Sequence, residues 1–418
     1  MSDTSTLCFR ILLVLCSFIA CAAVAMAQDV TSKATVAASG RKQALDVAAL
    51  DRQRILKLAD QAVDIAPISI TQFPAKLSEG GPHDFYSNGD YWWPDSSQPE
   101  GLPYIRRDGQ SNPDNFSAHR MALRDMRDAV AALAAAYAID GQENYAEKAV
   151  TLLKVFFLDD ATRMNPSLLY AQAIPGRSSG RGIGIIDTLH MAEVAPAIMA
   201  IDKSRAMTPE VRTGLKKWFA DYAQWMTTHP YGLDEMNAMN NHSVAYMVQL
   251  AAFARLTGDE QKLDLCRKRY KEVFVPQQMA ADGRFPQELA RTKPYGYSIF
   301  QLDNMAILCQ LLSTREDNLW TFALPDGRGI RKAVEYLYPY LRDKSKWPHK
   351  PDVEHFDAWP VRQPALLFAG YALGEGKYLD LWKTLDPDPT DAEVQRNMAV
   401  TQPLLWVLSP ADVPLTRN

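Results

Sequence analysis

The segment Asn240-Asn241-His242-Ser243 is followed by Arg291, Tyr295 and Tyr297 in ARTKPYGYSIFQL (residues 290–302), so an amide and an imidazole precede a guanidinium and two phenols. Those side-chain types suit the removal of a proton next to a sugar carboxylate. Taking the C5 proton from a uronic acid drives charge into its carboxylate as an enolate-like intermediate, and hydrogen-bond donors aimed there supply the main stabilisation. Asn241 and Arg291 are donors of that kind, each worth about 3 kcal/mol in the transition state by analogy with an oxyanion donor. A base must face C5 and an acid must face the departing C4 oxygen. In mannuronate and glucuronate the C5 hydrogen and the C4 oxygen lie on one side, so one tyrosine could do both jobs; in guluronate they lie on opposite sides and two groups are needed.

Position along the chain sharpens the roles. His242 falls in the first turn of an apolar-striped helix expected over 241–256, where the positive end of the helix dipole favours neutral imidazole, a proton acceptor. Tyr297 is expected to open the helix over 297–312, where free N–H groups stabilise a phenolate, whereas Tyr295 falls in the loop before it and is the rival for the same role. Each member has a plainer reading when taken singly: Asn240 or Asn241 as an N-cap, the tyrosines as core residues, Arg291 as a surface charge. The case rests on the set.

Other candidates would contact substrate. Trp92 and Trp93, beside Tyr91, lie in a long polar loop (80–114), where sugar rings stacking on the indoles and packing of the loop onto the domain are both open. Arg177 and Arg181 precede and enter GRGIG (180–184), which lacks the third glycine and the preceding strand of a dinucleotide loop. They are read as presenting charge to carboxylates in neighbouring subsites, or as surface arginines. His190 is a structural histidine or a substrate contact, and Glu235 orients the imidazole of His242, meets sugar hydroxyls, or is a loop carboxylate.

The elements that must position these residues are helices. Apolar periodicity predicts helices over 43–63, 117–139, 143–157, 185–200, 209–227, 241–256, 259–277, 297–312, 329–341, 361–373 and 377–384, joined by short Gly/Pro/Asp loops. Thr208-Pro209-Glu210 reads as an N-cap with proline in the first helical position, and Thr257-Gly258-Asp259 ends one helix and opens the next. The alternation typical of strands is nearly absent. Serial antiparallel helical hairpins with long loops at one end favour an all-α (α/α) toroid, an incomplete barrel, over a solenoid or stacked bundles, since no fixed-period repeat is present.

With 418 residues, 47% hydrophobic and 22% charged, the composition is globular, and the net charge of -4 argues against a general nucleic-acid binder while leaving room for an acidic polysaccharide held by local arginines. Residues 1–27 read as a cleaved signal peptide ending at Ala25-Met26-Ala27, with lipidation at Cys21 as the alternative. A flexible leader over 28–40 and one catalytic domain over 41–418 would follow, in a periplasmic or secreted protein with no integral membrane span in the mature chain. Cys8, Cys16 and Cys21 fall in the removed segment; Cys266 and Cys309 remain, either as buried free thiols or as one disulfide. No cysteine pattern for a metal is present, and the oligomeric state is not encoded in any of these features.

Four stretches together resemble the alginate lyase domain superfamily: DYWWPDSSQPEGLPYIRRDGQ (90–110), GRGIGIIDT (180–188), NNHSVAYMVQ (240–249) and ELARTKPYGYSIFQL (288–302). The resemblance implies a helical toroid enzyme that cleaves polyuronates by β-elimination without a metal or organic cofactor. It implies that Asn241 and Arg291 neutralise the carboxylate, that His242 is base or carboxylate partner, and that Tyr297 is the acid and also a candidate base. The chain departs from that pattern after the histidine, where Ser243, Val244, Ala245, Tyr246 and Met247 replace a more usual Gly-Thr-Trp-Tyr-Asp, and at Pro294 and Gly296; these changes bear on sugar preference. Two other readings stay open. A glycoside hydrolase on a similar toroid would need two carboxylic acids, for which Asp187, Glu235 and Glu288 are available, and a non-catalytic polysaccharide-binding protein would need only the aromatic loop and the arginines.

Overall fold

The helices fall into two kinds according to what covers them, and that division builds the molecule. The computed structural model describes residues 45–408; the expected signal peptide, the lipidation alternative at Cys21 and the expected leader lie outside the described residues. The unit that begins at Val47 carries, in chain order, α1 (Val47–Val63), α2 (Ala118–Asp140), α3 (Glu143–Phe157), α4 (Met191–Ala200), α5 (Pro209–Thr228) and α6 (Pro230–Met236). There follow α7 (Asn241–Thr257), α8 (Glu260–Arg269), α9 (Val275–Gln278), α10 (Pro286–Leu289), α11 (Pro294–Leu312), α12 (Ile330–Arg342), α13 (Pro364–Leu373), α14 (Gly376–Thr384), α15 (Ala392–Asn397) and α16 (Leu404–Val407).

Helices α2, α4, α7, α11 and α13 stand side by side as an inner row, each packed on the next. Helices α7 and α11 are covered on nearly every side: α7 is buried except at His242, Arg255 and Thr257, and α11 except at Gln310, whereas α2 exposes Met121, Asp125 and Asp128 in its first half. The remaining long helices pack outside, α1 and α3 on α2, α5 and α8 on α7, α12 on α11 and α13, and α14 on α13. Helix α12 shows the contrasting pattern, with Ile330, Ala333, Val334, Leu337 and Leu341 forming one buried stripe. The result is the all-α toroid expected from the sequence.

The end of the described chain meets its beginning. Arg54 of α1 binds Asp388 at 2.6 Å and the Thr401 carbonyl at 3.0 Å, and Arg362 binds Asp51 at 2.7 Å. Glu193 of α4, fully buried, accepts the Thr401 and Gln402 amides, the Trp406 indole N–H and an Arg127 guanidinium N–H. One carboxylate thus satisfies donors from α2 and from the C-terminal segment, which a buried charge requires.

Several boundaries differ from expectation. The helix expected over 185–200 is a 3-10 stretch (Gly182–Thr188) followed by α4, because the glycines are pressed against other backbone: a Cβ at Gly182 would meet the Tyr231 carbonyl oxygen at 2.6 Å, and one at Gly184 the Ala171 carbonyl at 2.7 Å. The helix expected over 259–277 widens into a π-turn at Tyr270–Phe274 just before Pro276, whose missing N–H interrupts the ordinary ladder. Helix α11 starts at Pro294 in the first helical position, so Tyr295 lies in its first turn and not in a loop, and Tyr297 does not open the helix but follows in the same turn. Short strands were not expected: β1 (Tyr86–Asn88) pairs in parallel with β4 (Tyr170–Ala173), and β2 (Trp92–Trp93) pairs antiparallel with β3 (Ile105–Arg106). Cys266 and Cys309 are separate buried free thiols, both pushed up by burial, and do not form a disulfide. Among the described residues no single helix is long and apolar enough to cross a membrane.

Candidate active site

The opening turns of four inner helices meet at one end of the row. Ser117 before α2 with Arg120, Met121 and Arg124 of it, His190 before α4, Asn240 to His242 at α7, and Tyr297 and Phe300 of α11 all line one cleft of about 940 Å³. The loop carrying β2 and β3 lines it from one side and α15 from another. The helix starts direct partial positive charge into the cleft. Arg106, Arg120, Arg124, Arg181, Arg291 and Arg396 add guanidinium groups to its walls.

Asn240 is the N-cap of α7, its side chain accepting the His242 amide at 3.3 Å, which leaves Asn241 free of the capping role. Asn241 is held by Glu288, which accepts its backbone N–H at 2.9 Å and also its side-chain amide. Burial pushes the Glu288 carboxyl up, against the pull of the Asn241 donors and Arg291. Glu235 of α6 lies 2.7 Å from Nδ1 of His242. A carboxylate only accepts, so Nδ1 carries the hydrogen and Nε2 is left as the acceptor in neutral imidazole.

Arg291 donates to the Tyr297 oxygen at 3.3 Å and lies 4.5 Å from that ring's centre. The same Nη2 is tied to the loop through Asp108 at 3.0 Å, and Asp108 also accepts from Thr292 at 3.0 Å. Burial pushes the Tyr297 phenol well above its ordinary value, and Arg291 opposes the rise. Tyr297 is therefore a neutral phenol at ordinary pH, able to donate its proton. Tyr295 goes elsewhere: it is fully buried, its hydroxyl donates to the Tyr340 carbonyl at 3.0 Å, and its ring packs edge-on against Trp347 and Phe356. The expected substrate contact at Tyr295 is corrected, since a helical turn of two residues aims the two tyrosines in different directions.

The aromatic pair divides as well. Trp92 lines the cleft, flanked by Arg181 at 5.8 Å and Arg177 at 5.6 Å from its ring. Trp93 turns away, donating to the Gln110 carbonyl at 3.0 Å and stacking with Arg107, because neighbouring strand residues face opposite sides. Arg181 reaches the cleft and is fixed by the Gln172 carbonyl at 2.8 Å; Arg177 is exposed outside it, bonded to the Tyr104 carbonyl. His190 lines the cleft, buried and kept neutral by burial and by Arg127 and Arg124, against the pull of the Gln395 and Arg396 backbone.

Residues given no part in elimination by the sequence reading complete the walls. Asp90 is clamped between Arg120 at 2.6 Å and Arg396; burial alone would raise its carboxyl, but the two guanidinium groups hold it below its usual range. Asp187 accepts from Ser87 and Gln172 and lies 3.7 Å from Arg120. The two non-glycine residues with left-handed backbone among those described, Gln172 (φ 49°) and His355 (φ 63°), both line the cleft, as strained residues at functional sites often do. Asp90 and Asp108 stand inside a stretch already singled out and Glu288 opens another, so adjacency was their signal; Arg120, His355 and Arg396 had none.

A family model described as alginate lyase matches residues 69–347. Among solved structures, an alginate lyase from Bacteroides ovatus is 35% identical, covers 90% of this chain and 97% of its own, and superposes with a TM-score of 0.75. Alginate lyase A1-III from Sphingomonas species A1 is 16% identical, covers 86% of this chain and 94% of its own, and superposes with a TM-score of 0.54. Its H192A variant, solved with a tetrasaccharide, superposes with a TM-score of 0.56 at the same identity and coverage, and these two likenesses speak for the fold alone. A comparison with curated proteins finds none that matches. Two-thirds of the chain falls within the family model and the Bacteroides ovatus enzyme aligns over 90% of the chain, so the chain belongs to the alginate lyase family and is a polysaccharide lyase.

Proposed function

We propose that the protein is an exported lyase that cleaves 1,4-linked uronic-acid polymers, alginate first among them and glucuronan as a further substrate, by β-elimination to unsaturated oligosaccharides. The observation that carries this reading is one cleft lined together by Asn241, His242, Arg291 and Tyr297, with Nδ1 of His242 held by Glu235 and Tyr297 kept by burial as a neutral phenol. Asn241 and Arg291 bind the carboxylate and take up the charge that develops there. His242 Nε2 takes the C5 proton, the C4–O4 bond breaks as the C4–C5 double bond forms, and the Tyr297 hydroxyl gives its proton to O4. No atom changes oxidation state across the protein, and solvent returns His242 and Tyr297 to their starting forms. The names of the Bacteroides ovatus and Sphingomonas enzymes support alginate as the substrate. Trp92, Arg181 and the cleft arginines would hold neighbouring sugars and carboxylates.

A hydrolase is less well supported, because the three carboxylates named for it are already engaged: Glu235 with His242, Glu288 with Asn241, and Asp187 with Ser87 and Gln172. Residues 1–27 support export to the periplasm or beyond, which cell fractionation would test against an uncleaved cytosolic protein. The deciding experiment incubates the purified protein with polymannuronate, polyguluronate and glucuronan. Near-ultraviolet absorbance from unsaturated product is expected on at least one of them. Reducing ends without that absorbance would make the protein a hydrolase, and binding with neither would make it a sugar-binding protein.

A further inference from the structure

The phenol oxygen of Tyr297 has two protein neighbours besides the open cleft, and they are not equivalent. Arg291 Nη2 lies at 3.3 Å and can only donate. The Tyr91 hydroxyl lies at 2.7 Å and could donate or accept. If Tyr297 donated to Tyr91, the proton needed by the leaving O4 would be tied up in the loop. Arg396 tips the balance: its Nη2 lies 3.2 Å from the Tyr91 oxygen and it too can only donate, and the Lys293 ammonium lies 5.6 Å from the Tyr91 ring, so two cations face Tyr91 and make it the stronger donor of the pair. With the Tyr91 oxygen accepting from Arg396, the Tyr91 hydrogen is turned toward Tyr297, and the Tyr297 hydrogen is left facing the cleft.

We propose that Arg396, acting through Tyr91, is a positioning residue that sets the direction of this hydrogen-bond chain, so that Tyr297 presents its proton to the leaving oxygen and its phenolate is then held by two donors. This rests on the reading of Tyr297 as the acid. When the Tyr297 O–H bond breaks and the O4–H bond forms, the negative charge left on the phenol oxygen meets hydrogens from Arg291 and Tyr91 already in place, as preorganised donors should be. Arg396 comes from α15, beyond the residues 69–347 that the family model matches, so the site is completed by a C-terminal segment.

Arg396 is itself well fixed. It pairs with Asp90 from the loop and with Glu393 at 2.7 Å from its own helix, and Lys293 at the start of α11 binds Glu393 at 3.1 Å. The groups that face Tyr297 or stand directly behind those facing it are therefore Arg291 with Asp108, Tyr91 with Arg396, and Asp90, Glu393 and Lys293 beyond them. Both members of the chain are fixed by charges on other elements, which is what holding one direction against the other requires.

The test reads Tyr297 in the resting protein, so it needs no substrate. A fluorinated tyrosine at position 297, whose phenol ionises in an accessible range, is titrated by fluorine NMR with Tyr91 and Arg396 intact, in Tyr91→Phe, and in Arg396→Lys. Tyr91→Phe removes one oxygen and leaves every ion pair of Arg396 in place. It should move the ionisation upward by about one pH unit or more, as loss of a hydrogen bond to a charged group implies. Arg396→Lys keeps a cation for Asp90 and Glu393 but loses the fork that reaches Tyr91, so it should shift in the same direction, and the double variant should go no further than Tyr91→Phe alone. On whichever polyuronate the native enzyme cleaves, Tyr91→Phe should lower kcat about tenfold with KM held, the kinetic counterpart of that shift. An unchanged ionisation in Tyr91→Phe, with the melting temperature preserved, would overturn the proposal, and so would a lowered one, which would mean that Tyr297 donates to Tyr91. So would a Tyr91→Phe change confined to KM, which would make Tyr91 a substrate contact. A protein inactive on every polyuronate whose Tyr297 ionisation still shifts would refute the substrate reading and leave the chain of hydrogen bonds standing.

Discussion

The two walls of the cleft are built on different principles. One wall comes from the starts of α7 and α11, where Glu235 holds His242 from 7 residues away, Glu288 holds Asn241 from 47, and Arg291 stands between Tyr297 and Asp108 of the loop. The other comes from the loop, α2 and α15, where Asp90, Arg120, Tyr91 and Arg396 meet across separations of up to about three hundred residues. Polar side chains at the head of a buried helix are fixed by the helix itself and by one or two partners. Side chains on a loop have no such frame, and here a net of buried opposite charges supplies it, each charge compensated because an unpaired one would cost several kcal/mol. The first wall therefore carries the chemistry, and the second determines how well it is aimed.

The largest effects should fall on the first wall. Tyr297→Phe, Asn241→Ala and Arg291→Ala should each lower kcat by about 10²–10³, the usual cost of losing a transition-state donor or a positioned acid. Circular dichroism would show whether the fold survives, and near-wild-type turnover in any one of them would take that residue out of the mechanism. For a substrate with the C5 hydrogen and C4 oxygen on opposite sides, His242→Ala should be as severe as Tyr297→Phe. For one with both on the same side it should be milder, because a phenolate could then serve as base.

The partners behind the first wall come next. Glu235→Ala removes the acceptor that fixes the His242 tautomer, so kcat should fall about tenfold to a hundredfold, less than loss of a whole general base. Glu288→Gln keeps the shape but puts an N–H group against one of the two Asn241 donors; it should cost about 1–3 kcal/mol of stability as well as turnover. Equal activity of the Glu235→Ala and native enzymes would mean that His242 is held by its helix alone.

Smaller effects belong to binding. Trp92→Ala should raise KM about tenfold, equivalent to about 1.4 kcal/mol of lost contact, whereas Trp93→Ala should leave KM alone and lower the melting temperature. The opposite result would move the sugar-facing ring by one residue and reverse the face assigned to β2. Least of all should happen at Tyr295, where Phe removes the bond to the Tyr340 carbonyl; thermal unfolding should record about 1 kcal/mol of destabilisation with turnover unchanged. A dead Tyr295→Phe beside an active Tyr297→Phe would break the assignment of the acid.

Most of the first wall is legible in the amino-acid sequence. Helices announce their starts through local signals such as Thr208-Pro209 and Gly258-Asp259, and both appear in the structure as the capped ends the sequence implied. An amide and an imidazole at such a start, followed by an arginine and a tyrosine at the next inner helix, name a chemistry because a reaction at a carboxylate needs those types. Short-range geometry is harder to read. Pro294 begins α11 three residues early, and that register separates a catalytic Tyr297 from a structural Tyr295. In β2 a single alternation sends Trp92 into the cleft and Trp93 out of it.

What the sequence determined by itself was the class of fold and one wall of the site, since both follow from patterns a few residues long: apolar helices, caps, and polar groups at their heads. What only the tertiary structure decided was the pairing of those groups. Arg396 gives no local sign that it will reach Tyr91, and Asp90 none that it will be clamped by Arg120 and Arg396 together. A guanidinium finds its carboxylate through space, at distances set by how five inner helices and the returning C-terminal segment pack, and no spacing along the chain encodes that meeting.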